Sequence, residues 1–398
     1  MFSAITGKTK LSNTNSIIAQ MMALMFFSSV GRGLAAPYVN LYLDGLGVSG
    51  TVIGTIIGIA ALVELVFSPV LNNLADKYKR HRLLLMVQYL LYGVGTFLLA
   101  TTNQIVLLGA MVVLIELGKR SAIVLSLQLT LIRLEQLNRD ILGRVRSFNA
   151  LGFSLVNIFQ GAIFLAAGYL GMFFISGSFT VMAIWFTRVL PRQATNRKQD
   201  TTLAPRQRKF YIMVLIQVFV QLGLRSGFAF QLIHFRENLG IPTEHMGLLV
   251  TLWALAEVPF FILFDSLVRR FDVRITYMMG AVGMGMIWFL ISVAPSPAWL
   301  IPILIARGLA FALLNLSVLI LISRISDPRN VATNQAILQI TVPGLAMLFG
   351  GPLMGWIYDN YVASIYFGMC LLLMTVGALM MLVMYRVMTP TLVESPVT

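Results

Sequence analysis

The chain has 398 residues; 58% are hydrophobic, only 11% are charged, and the formal net charge is +14. Soluble domains carry about 25% charged residues, so this composition excludes a soluble enzyme or binding domain and implies a polytopic membrane protein. One cysteine, Cys370, and three scattered histidines (His81, His234 and His245) leave no disulfide framework and no metal-ligand cluster.

Met1 to Thr14 is polar, carries Lys8 and Lys10, and lacks the apolar core and cleavage site of a removable signal. Residues 1–15 are expected to be a cytoplasmic N-terminal segment. Apolar runs then predict twelve membrane spans, at about 16–42, 50–75, 83–101, 104–132, 144–168, 170–190, 209–235, 245–268, 274–294, 298–323, 333–357 and 361–387. A helical crossing takes roughly 20 apolar residues, and the alternation of a membrane β-barrel is absent. The expected fold class is an all-α membrane protein with twelve transmembrane helices in two pseudo-symmetric six-helix bundles, 16–190 and 209–387. The aperiodic polar stretch between Pro191 and Lys209 makes 191–208 a cytoplasmic linker, and 388–398 a cytoplasmic tail.

Charge supports that count. Of 29 Lys and Arg residues, 23 fall in segments that it places inside, one (Arg236) in an outer loop and five within spans. Cytoplasmic loops carry the excess of basic residues, so both termini are expected inside the plasma membrane, a bacterial inner membrane. Basic loops that anchor topology and touch lipid phosphates account for the net charge without nucleic acid.

The two halves repeat. A shift of 193 residues carries Arg32 onto Arg225, Gly47 onto Gly240, Gly54 onto Gly247 and Glu64 onto Glu257. A shift of 191 carries Glu116 onto Arg307, Ser126 onto Ser317 and Arg133 onto Arg324. Parallel repeats with a site near mid-membrane are a transporter plan.

After the second span comes NNLADKYKRHR. It resembles the loop pattern of the major facilitator superfamily, Gly-x-Leu-x-Asp followed by clustered basic residues. Leu74, Asp76, Lys77, Arg80 and Arg82 fit; Asn72 and Lys79 stand where that pattern has glycines. With the spans, the repeat and the basic linker, the resemblance covers nearly the whole chain. PYVNLYLDGLGVSGTVIG and WALAEVPFF are similar to the branch containing the lactose and phenylpropionate permeases, which has an acidic residue in the eighth span, matched by Glu257. The resemblance implies alternating access, proton-coupled symport of a small solute, a cavity lined by the first, fourth, seventh and tenth spans, and an inner-side gate at Asp76 and Arg80. Arg144, opening the fifth span, is a topology anchor or a partner in that gate.

Eight ionisable side chains fall near mid-span: Arg32, Glu64, Glu116, Lys119, Arg120, Arg225, Glu257 and Arg307. Each costs at least about 2.5–3.5 kcal/mol there unless it faces protein or water. One reading is internal pairing: Arg32 with Glu64, Arg225 with Glu257, and Glu116 with Lys119 and Arg120 on one helix face. That leaves two cations over. The other reading makes Arg32, Arg225, Glu116, Lys119, Arg120, Trp253 and Arg307 a substrate site, because a guanidinium fork fits carboxylate or phosphate. The two matched arginines would then grip an anion from both halves. Glu257, and next Glu64, are the proton candidates. Trp253, four residues before Glu257, shares its helix face and either stacks on substrate or packs.

The expected function is a secondary active transporter of a small organic anion or polar solute, needing no cofactor and acting as a monomer on a small-molecule substrate and protons amid membrane lipids. No Walker loop is present to couple ATP, and a two-fold repeat within one chain is unlike a channel ring. The alternatives are a sugar or nucleoside proton symporter, a multidrug or lipid exporter, and a receptor that kept the fold without coupling.

Overall fold

The structure is a computed structural model that describes the backbone of residues 2–139, 141–192, 208–327 and 330–384. Within these, side chains are described except in 2–13, at Arg120, in 261–270 and at Ala332. Most of the expected linker and the whole expected tail lie outside the described residues.

Regular structure among the described residues is helical throughout, as hydrocarbon demands of a chain that must pair its backbone groups internally. The first half contains α1 (Phe2–Ala35), a short α2 (Val39–Gly45), α3 (Gly50–Tyr78), α4 (His81–Leu99), α5 (Ile105–Gln136) and α6 (Leu142–Phe186). The second contains α7 (Arg208–Glu237), α8 (Met246–Arg270), α9 (Val273–Ser292), α10 (Leu300–Ile325), α11 (Val331–Ala336), α12 (Val342–Asn360) and α13 (Ala363–Val383).

Nine stretches among the described residues are long and apolar enough to cross a membrane. The predicted fifth and sixth spans share one of them, since α6 runs through both. Inside it Gly168 has φ 58° and ψ −160°, a conformation that glycine alone adopts without strain, and the helix breaks there. α5 and α8 lie over the fourth and eighth predicted spans; each contains side chains outside the described residues, Arg120 in α5 and 261–270 in α8. A π turn at Ile337–Thr341 joins α11 to α12 just before Pro343, whose ring has no N–H for the helical ladder. The chain is a multi-pass membrane protein.

Two compact units form. Unit 1 comprises Met1–Leu46, Val63–Asn196 and Thr243–Thr251; unit 2 comprises Gly47–Leu62, Arg197–Pro242 and Leu252–Thr398. The start of α3 therefore groups with the second half, and the start of α8 with the first.

In unit 1, α1 packs closely on α6. A Cβ at Gly33 would lie 2.7 Å from Val156, and Ser176 Oγ donates to the Gly31 carbonyl at 2.6 Å. Small residues at such contacts let helices approach. Met21, Leu24, Leu85, Tyr89, Leu129 and Val145 fill the core beside them. Gln160 ties in the start of α8: its Oε1 accepts from the Gly247 N–H at 2.9 Å and its Nε2 donates to the Thr243 carbonyl at 3.4 Å.

In unit 2, the Asp359 carboxylate receives the N–H groups of Gly50 (2.6 Å) and Thr51 (2.8 Å) and the Thr51 hydroxyl (2.6 Å). It thus caps the N-terminus of α3, where a negative charge is favoured. Gly54 of α3 then meets the backbone of Gly351 in α12. Tyr366 donates its hydroxyl to the Ser226 carbonyl at 2.8 Å, holding α13 to α7.

Candidate functional site

Unit 2 brings three of the sequence candidates together. Gly308 lets α10 approach α8 so closely that a Cβ there would lie 2.5 Å from the Ala256 carbonyl oxygen. The next residue back, Arg307, is only 2% exposed. Its guanidinium carbon lies 4.3 Å from the ring centroid of Trp253, 4.8 Å from Phe228 and 5.6 Å from Trp288. Phe228 in turn meets Trp288 edge to face at 5.2 Å. Aromatic faces attract a cation by about 0.5–2 kcal/mol each, most when water is excluded.

Half-buried Glu257, one turn after Trp253 on α8, interacts electrostatically with Arg307. Among the described residues, neither Nε nor Nη1 of Arg307 has a hydrogen-bond acceptor. The cation set against Glu257 is therefore Arg307, where the sequence pairing put Arg225. Arg225 itself sits half-buried on α7, three residues before Phe228. The ring of Trp253 stacks on Arg307, a partner that its spacing from Glu257 did not announce. Phe228 and Trp288, neutral residues in apolar runs, carried no signal in the sequence.

Unit 1 holds a second polar group. Arg32, half-buried on α1, donates from Nη2 to Asn149 Oδ1 at 2.6 Å, and Ser29 Oγ donates to the Asn149 carbonyl at 2.6 Å. Tyr89 and Tyr92 of α4 lie within electrostatic reach of Arg32. On α5, Glu116 and Lys119 form the i,i+3 ion pair that their spacing predicts, each side chain 20% exposed; the Arg120 side chain lies outside the described residues. Glu64 is 3% exposed on α3. Asn149, the acceptor that orients Arg32, is a residue the sequence reading missed.

In the last turn of α3, Asp76 is exposed and its Oδ1 is bonded to His81 Nε2 at 2.8 Å. His81 is buried, whereas Arg80 and Arg144 are exposed. The partner that the structure gives Asp76 is thus His81 rather than Arg80. The loop after α3 is closed by the Arg80 N–H donating to the Ala75 carbonyl at 2.9 Å and the Lys79 N–H to the Asp76 carbonyl at 3.2 Å. Among the described residues no three His, Cys, Asp or Glu side chains gather as a metal site.

Comparison with known proteins adds the following. The MFS_1 like family matches residues 17–369. Major facilitator superfamily domain-containing protein 6-like protein B of Xenopus laevis is 30% identical over 85 residues, which are 21% of this chain and 14% of that protein. Quinolone resistance protein NorA of Staphylococcus aureus is 30% identical over 80 residues, 20% of this chain and 20% of that protein. Each match therefore spans a small part of the relative's length. The crystal structure of the nucleoside transporter NupG is similar in fold, with a TM-score of 0.78 at 15% identity over 93% of this chain and 99% of that one.

Proposed function

Because the chain belongs to the MFS_1 like family of membrane transporters, we propose that it carries a small organic anion together with a proton. On this reading it works by alternating access in the plasma membrane, with both termini cytoplasmic. The observation that carries the proposal is the burial of Arg307 among three aromatic rings within electrostatic reach of Glu257, with two of its nitrogens lacking acceptors among the described residues.

Removing a charge from water costs on the order of several kcal/mol even after relaxation. The rings offset part of that cost, and Glu257 balances the charge while it is ionised. Protonation of Glu257 leaves Arg307 uncompensated, and an incoming carboxylate or phosphate then becomes the counter-ion, held by charge-assisted hydrogen bonds. Loss of the proton restores the internal pair and expels the anion. Substrate and proton then travel in the same direction.

Proteoliposome transport tests this. Glu257→Gln should abolish accumulation driven by an imposed pH gradient and spare counterflow exchange, since the anion site remains charged. Arg307→Gln should weaken substrate binding roughly 30-fold or more, the usual consequence of truncating a buried charge partner. Unchanged gradient-driven accumulation by Glu257→Gln would overturn the coupling role.

A further inference from the structure

We propose that the groove between α4 and the end of α6 in unit 1 binds one anionic phospholipid, its phosphate on Arg188 and an acyl chain along the groove. The groove has a volume of about 600 Å³ and is lined by Arg188 and six apolar side chains, among them Met86, Met182, Trp185 and Phe186. That volume lies within the roughly 300–1,000 Å³ of small-molecule sites. Trp185 and Met182 are 62% and 48% exposed, so the apolar channel opens on the protein surface, where a membrane protein meets hydrocarbon.

The polar end is fixed by specific contacts. The Arg188 guanidinium carbon stands 3.8 Å above the Trp185 ring. Stacking leaves the edge of the guanidinium, with its N–H groups, turned away from the ring, and that edge is what grips an oxyanion. Arg82 reinforces it. Its Nη1 donates to the Arg188 carbonyl at 3.1 Å and the Leu190 carbonyl at 3.5 Å, and its backbone N–H donates to the Arg192 carbonyl at 3.3 Å. These bonds tie the basic start of α4 to the turn at Thr187–Val189 and set a second cation beside Arg188.

Exposed Lys77, at the end of α3, and exposed Lys79 and Arg80, between α3 and α4, precede Arg82, and exposed Arg192 follows the turn. The carboxylate beside these cations, Asp76 in the last turn of α3, is engaged by His81. A tryptophan at the membrane interface and a basic pocket between helices on the cytoplasmic side are together suited to an anionic headgroup. A zwitterionic headgroup would bring an ammonium against the same cations. None of these residues belongs to the Arg307 and Glu257 cluster, so the lipid site stands or falls separately from the transport reading.

Native mass spectrometry of the full chain, given phosphatidylglycerol or phosphatidylcholine in equal amounts, tests the proposal. The wild type should retain one phosphatidylglycerol and lose phosphatidylcholine. Arg188→Gln should lower phosphatidylglycerol occupancy about fivefold, the effect of one basic residue at an anionic membrane surface. Met182→Trp, which fills the groove and leaves both cations in place, should also lower it. Equal retention of the two lipids, or unchanged binding in Arg188→Gln, overturns the proposal. So does displacement of the lipid by inorganic phosphate at equal concentration, which would mark a site for free anions.

Discussion

Lys79 has φ 55°, in the left-handed region where a side chain costs roughly 1–2 kcal/mol. It is the residue after the cap of α3, in a turn whose two backbone bonds, from Arg80 to Ala75 and from Lys79 to Asp76, form a Schellman motif. Asn138 ends α5 in the same way, with φ 50° and matching bonds from Arg139 to Leu134 and from Asn138 to Glu135; asparagine tolerates that conformation better than lysine. The superfamily loop pattern that this stretch resembles has glycine where this chain has Lys79, and the backbone there is in the left-handed conformation that glycine adopts most readily. Lys79→Gly should therefore stabilise the protein by about 1 kcal/mol, read as a higher thermal midpoint in detergent. A lower midpoint would show that the lysine side chain contributes more than the strain removes. Intramembrane charges were legible in the same local way: a lone Arg307 or Glu257 in an apolar run has to be accounted for wherever it lies. The rings around Arg307 were not legible, because Phe228 and Trp288 look like any core aromatic until α7 and α9 pack against α10. Asn149 escaped for the same reason, since a neutral amide on α6 gains its role only when Arg32 arrives from α1.

At the scale of helices, hydropathy located helical segments because hydrocarbon leaves the backbone no other regular choice, and nine stretches among the described residues are long and apolar enough to cross a membrane. The predicted boundary between the fifth and sixth spans falls at Gly168, whose backbone breaks α6. Hydropathy is blind to which helices touch, and so it placed Gly47–Leu62 with the first half although that segment groups with unit 2. The contact itself rests on missing side chains. A Cβ on Gly351 would lie 2.6 Å from the Gly54 carbonyl oxygen, whereas one on Gly344, near the start of α12, would find only the Ala61 carbonyl at 3.8 Å. Gly351→Ala should thus force α3 and α12 apart and destabilise by about 1–3 kcal/mol, as overpacking does. Gly344→Ala should be tolerated. Equal thermal midpoints for the two variants would show that the helices are not in contact at Gly54.

At the scale of the whole chain, duplication is recorded in the backbone as well as in the residues. Gly47 and Gly240, matched by the 193-residue shift, both have positive φ, 78° and 64°, so corresponding loops in the two halves turn in the same way. The fold is shared with transporters of different cargo, and fold alone does not choose a substrate. On the proposed reading charge makes the choice: five cations against three carboxylates lie near the middle of the predicted spans, and a surplus of fixed positive charge favours an anion. A ligand at a hundred times its Kd stabilises the folded state by about 2.7 kcal/mol, enough to read as a thermal shift. Among organic anions, sugars, nucleosides and quinolones offered to the purified protein, organic anions should raise the midpoint, and Arg307→Lys, which keeps the charge and loses the planar fork, should erase most of the shift. If nucleosides or quinolones alone raise it, the cations of the spans serve the protein's internal pairing, and the cargo is recognised by other groups.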